Sequence, residues 1–159
     1  MAGKLSRMRY LVVAAILLAG CGKPNPPAPE LLPQATPANT TLRNDDPELD
    51  AAVARARGSL DTFLQRLAHP QKGEVFSVEA AFPTPDGGHE HLWIGDVTFK
   101  RNAFTGTLTS KVAKVPSLSY GQTVTVKRDE VTDWMILRAG RSEGGFTVKV
   151  LLDREGQPR

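Results

Sequence analysis

Residues 76–101, FSVEAAFPTPDGGHEHLWIGDVTFKR, decide the fold. Phe76, Val78, Ala80 and Phe82 alternate with Ser77, Glu79 and Ala81. A period of two places the first set on one face of a strand and the second on the other. Pro83 to Gly88 then supplies the proline, aspartate and glycines of a tight turn, and a second strand is predicted over about 90–101. The stretch therefore reads as an antiparallel hairpin.

Upstream, Asp46 is placed to cap a helix, Pro47 suits its first position, and Glu48 and Asp50 favour the positive end of its dipole. Leu49, Val53, Ala56, Leu60, Phe63, Leu64 and Leu67 recur at spacings of three and four, which predicts one amphipathic helix up to His69-Pro70. Gly58 inside it implies close packing or a break. Downstream, strands are predicted at Phe104–Val112, Thr123–Lys127, Val131–Arg138 and Gly145–Leu152. Their links are too short for parallel crossovers. The expected fold is α+β: one N-terminal amphipathic helix packed on a mostly antiparallel sheet of about five or six strands.

The 159 residues exceed the needs of that domain, and the surplus lies at the front. Lys4, Arg7 and Arg9 precede the apolar run Leu11–Ala19, which is too brief to cross a bilayer but suits the core of a signal peptide. Leu18-Ala19-Gly20-Cys21 resembles the bacterial lipobox. That resemblance implies cleavage after residue 20, lipid attachment at Cys21 and retention on a membrane, two or more acyl chains holding firmly. Gly22, in place of the aspartate that retains lipoproteins at the inner membrane, implies the periplasmic face of the outer membrane. Residues 21–45 carry 6 of the 12 prolines and no apolar periodicity, so they read as a lipidated tether reaching roughly 30 Å as a coil, or about 70 Å as polyproline II. Residues 46–159 form the single folded domain.

Loss of the leader lowers the basic count from 20 to 17, against 17 acidic residues, so the mature chain is formally neutral. The basic balance of the precursor is thus no argument for a nucleic-acid partner. Cys21 is the one cysteine, which leaves no disulfide, and the domain rests on its core alone.

Several segments together resemble the bacterial YegJ-like family, domain of unknown function 2314: Asp46-Pro47-Glu48-Leu49, Glu90-His91-Leu92-Trp93, Phe104-Thr105-Gly106-Thr107-Leu108, Asp133-Trp134-Met135 and Gly144-Gly145-Phe146-Thr147. The likeness extends over roughly residues 46–152 and implies a small α+β domain without an assigned reaction. The chain departs from the family pattern at Thr109-Ser110-Lys111 and at Ile136.

Two constellations hold the candidate binding residues, His89, Glu90, His91 and Trp93 in one and Asp133 and Trp134 in the other. On a strand, His89 and His91 share a face and offer two imidazoles to Zn²⁺ or Cu²⁺, with further ligands required from His69 or a distant carboxylate such as Asp133. The competing reading makes His91 and Trp93 part of a packed strand face. Asp133 is either a base beside aromatics or an acceptor of backbone amide hydrogen bonds, and Trp134 either core or a recognition aromatic. Gly87-Gly88 and Gly144-Gly145 read as hairpin turns, and the paired cations Lys100-Arg101 and Lys127-Arg128 as solvated strand ends. No nucleophile elbow or other catalytic set stands out. The function expected is that of a non-enzymatic, membrane-anchored lipoprotein binding an envelope protein or component and using no cofactor. The alternative is a metal-binding or metal-dependent hydrolytic periplasmic domain built on His89 and His91.

Overall fold

The computed structural model describes residues 46–156; Cys21 and the leader and tether expected over 1–45 lie outside them. Helices α1 (Pro47–Gly58) and α2 (Leu60–Ala68) come first. Strands β1 (Val75–Pro83), β2 (His89–Lys100), β3 (Ala103–Leu108), β4 (Thr123–Lys127), β5 (Val131–Arg138) and β6 (Arg141–Gly144) follow, and then helix α3 (Phe146–Glu155). All strand pairs are antiparallel, in the order β4-β3-β2-β1-β5-β6. The α+β class and the antiparallel six-stranded sheet agree with the sequence reading. No described helix is long and apolar enough to cross a membrane.

The single helix expected over 46–68 is two helices. Asp46 caps α1 as its sequence implies, accepting from the amides of Glu48 (3.1 Å) and Leu49 (3.3 Å). At Gly58 a Cβ would meet nothing within 4 Å, so this glycine marks a break and not a close approach. The break has a structural use. It leaves the Ala56 carbonyl and the Ser59 hydroxyl, each 3.1 Å away, to receive the buried indole N–H of Trp134. That donor would otherwise be stranded in the core, at a cost of about 1–3 kcal/mol. Phe63 of α2 meets Trp134, Phe76 and Phe104 at ring-centroid distances of 5.4, 5.7 and 6.0 Å, so one aromatic from the helix layer ties three strands together.

Two further expectations are corrected at the C-terminal end. The strand predicted over Gly145–Leu152 is helix α3, and the sixth strand is the short β6, inside the link between the predicted strands. Gly144-Gly145 is consequently a strand-to-helix junction; the hairpin turn is Ala139-Gly140. Both glycines have positive φ, 80° and 64°, and turn the chain out of the ladder. The alternating Phe146, Val148 and Val150 then serve a helix whose first turn is fixed from outside by Asp133, a tertiary contact that overrides β propensity. The third strand also stops at Leu108, short of Val112.

Candidate functional site

His89-Glu90-His91 opens β2 opposite Pro83, Phe82 and Ala81 of β1. His89 is exposed. Glu90 turns its carboxylate onto the loop after β3, where it accepts from the amides of Ala113 (2.7 Å) and Lys114 (2.8 Å). His91 points inward, with its side chain 18% exposed, and its Nδ1 lies 3.2 Å from the Thr132 hydroxyl and 3.6 Å from Glu79 Oε2.

From His91 a chain of polar groups leads into the protein. The β1–β5 register shifts at Glu79/Ala80, so that Glu79 pairs with Asp133, Ala80 pairs with Val131, and Thr132 is the extra residue of a bulge. The Thr132 hydroxyl, 3.1 Å from Glu79 Oε2, donates to it. The Thr147 hydroxyl lies 3.4 Å from the same Glu79 oxygen and 2.7 Å from Asp133 Oδ2. Asp133 also accepts from the Thr147 amide (2.8 Å) and, through Oδ1, from the Trp134 amide (2.7 Å).

Asp133 therefore performs a capping task that Gly145, the N-cap residue of α3, has no side chain for. Its carboxyl nevertheless holds a proton more tightly than an ordinary aspartate. Removal from water is the main cause and the charge of Glu79 adds to it, while the hydrogen bonds from Thr147 and Trp134 oppose it. Thr147 has one hydroxyl hydrogen and two carboxyl neighbours. Protonation of Asp133 lets that hydroxyl accept from Asp133 and donate to Glu79, so the network accommodates either state. Asp133 is completely buried, so the carboxyl is in contact with these protein groups alone among the described residues.

The structure thus joins His91 and Asp133 through Glu79, Thr132 and Thr147, and leaves His89 outside. Trp93 is buried, with its amide accepted by Ser110 Oγ at 2.9 Å, and Trp134 is in the core. Among the described residues no group of three or more His, Cys, Asp or Glu side chains is placed to hold a metal ion. The sequence reading missed Glu79, Thr132, Ser110 and Thr147. Thr147 falls within the segment predicted as a strand, and Glu79 on a predicted polar face that is covered in the structure. A buried glutamate between Val78 and Ala80 is signalled in sequence by nothing but its apolar flanks.

A family model described as "Uncharacterized protein conserved in bacteria (DUF2314)" matches residues 46–157. Among curated proteins, the chain is 31% identical over 108 residues to "Uncharacterized protein YegJ" of Escherichia coli strain K12, covering 68% of this chain and 69% of that one. It is 26% identical over 114 residues to a "Putative ankyrin repeat protein" of Neisseria meningitidis serogroup B, covering 67% of this chain and 45% of the relative. No solved structure matches.

Proposed function

Because the chain belongs to the DUF2314 family of uncharacterized bacterial proteins, its own surface is the guide to its role, and we propose that it is a lipid-anchored envelope protein whose domain binds a protein partner. The observation that carries this reading is the outer edge of β4, which among the described residues pairs with β3 alone. Arg128 N donates to Asn102 O of the β2–β3 turn at 3.0 Å, so alternation turns the amides of Thr123, Thr125 and Lys127 away from the sheet. The Lys127 amide is taken by Glu130 at 2.7 Å. Those of Thr123 and Thr125 face outward at the sheet margin, next to Tyr120, which is 72% exposed. An open strand edge beside an exposed aromatic suits an extended segment of another protein, with main-chain pairing giving affinity and the ring an anchor.

The anchor at Cys21 and the periplasmic face of the outer membrane complete the proposal. The wild-type protein is expected to incorporate labelled palmitate and Cys21→Ser to lose the label; equal labelling of the two, or none of the wild type, excludes lipid anchoring through that thiol.

Partner binding is tested by photo-crosslinking in cells, with a photoreactive residue at 125 and a control at exposed position 96. The expected result is a discrete adduct from 125 alone. Thr125→Pro should abolish binding while changing stability by less than about 1 kcal/mol, since proline is tolerated where an edge amide faces outward. Equal crosslinking from both positions, or none from 125, rejects the edge as the binding surface.

A further inference from the structure

At the opposite margin of the sheet, the end of the β5–β6 hairpin and α2 border an open cleft of about 530 Å³, within the size range of small-molecule sites. Arg66, Arg138 and Arg141 line it, with Glu74, Glu143 and Ser142. Arg66 pairs with the buried Glu74 carboxylate and reaches Glu143 at 3.4 Å through its two terminal nitrogens, while its buried Nε has no partner among the described residues. Arg138 gives one N–H to the neutral side chain of Gln71, and among the described residues the guanidinium of Arg141 has no hydrogen-bond or ion-pair partner.

Arg138 and Arg141 are also direct cross-strand partners, joined by the two-residue turn Ala139-Gly140. Like charges placed opposite each other repel, so the hairpin holds two cations in an unfavourable register. The turn itself is strained, because Ala139 adopts φ 48° where such turns favour glycine, asparagine or aspartate. An anion between the guanidinium groups relieves the repulsion.

The geometry points to a binding site for the carboxylate of a small ligand, of the size of a di- or tripeptide, held by Arg138 and Arg141. Three guanidinium groups against two carboxylates leave one net positive charge, which a carboxylate neutralises and a phosphate dianion overshoots. The planar fork of arginine fits two carboxylate oxygens. This site is separate from the β4 edge and stands or falls independently of the partner reading.

The test uses the full mature protein in detergent micelles and three probes: N-acetyl-alanyl-alanine, its C-terminal amide, and inorganic phosphate. Amide chemical shifts over 138–143 should respond saturably to the acid with a Kd of about 1 mM, and at least roughly tenfold more weakly to the amide and to phosphate. Arg141→Gln should raise the melting temperature of the unliganded protein by about 1–2 °C through lost repulsion, and weaken binding of the acid about tenfold. Equal binding of the amide, tighter binding of phosphate, no saturation by the acid up to about 20 mM, or unchanged binding by the variant would each overturn the assignment.

Discussion

Asp133→Ala is expected to lower stability by about 3–5 kcal/mol, a large share of what a domain of this size possesses. The carboxyl receives the Trp134 amide, the Thr147 amide and the Thr147 hydroxyl, all buried. Alanine leaves the two amides without an acceptor, leaves the Thr147 hydroxyl only the longer bond to Glu79, and uncaps α3. Asp133→Asn keeps one acceptor oxygen and should lose less, about 1–3 kcal/mol. Urea denaturation followed by tryptophan fluorescence measures both; an alanine variant within about 0.5 kcal/mol of the wild type excludes the capping role.

The same residue sets a distinctive pH dependence. Its folded-state proton affinity is raised above the ordinary aspartate value of 3.8, mainly by burial. In the window above 3.8 the folded protein therefore binds more protons than the unfolded chain, and the Asp133 contribution to stability declines as pH rises through it. Asp46 acts in the opposite sense. Its hydrogen bonds with Arg154 draw its pKa down to about 2, so its contribution is present above 3.8 and is lost as pH falls toward 2. Asp133→Asn should remove the first slope and keep the second, making the gap to the wild type widest at the acid end of the window and narrower near neutrality.

The second large effect is expected at Gly144. A Cβ there would lie 2.2 Å from the Trp134 carbonyl oxygen and 2.6 Å from the indole ring, in a residue held at φ +80°. Strain and overlap act together, because the carbonyl is backbone already held by the Gly145 amide and the ring is wedged against Phe63 and Phe146. Gly144→Ala should destabilise by about 4 kcal/mol. Gly145→Ala meets only the flexible end of Met135, at 3.0 Å, and should cost about 1–2 kcal/mol from its φ of 64°. Chemical denaturation of the pair distinguishes the two; equal effects would mean that backbone conformation alone, and not the Trp134 contact, fixes the glycine.

Local physics made much of the fold legible. The Asp46-Pro47 cap and the alternation of Phe76 to Phe82 each follow from a few neighbouring residues and form as expected, while the apolar stripe through Phe63 is divided between α1 and α2. The end of the chain was opaque for a different reason. Phe146 to Leu152 alternates as a strand does, and its helix depends on Asp133, thirteen residues before the helix begins. Glu79 was hidden in the same way: the alternation placed it opposite the core face, but nothing local announced that Thr132, Thr147 and Asp133 would cover it. Of the candidate residues, His91 and Asp133 come together through three groups the sequence did not single out. His89 and Glu90 part, one to solvent and one to the loop at 113–114.

Partner capture at the β4 edge is tested most directly by amide hydrogen exchange at Thr123 and Thr125, compared between purified protein and native envelope membranes. An unoccupied edge exchanges rapidly in the purified protein, and pairing with a partner strand should slow both amides about tenfold or more in the membranes, with the amides of Val124 and Val126 little changed. Identical exchange at Thr123 and Thr125 in the two preparations would contradict the account.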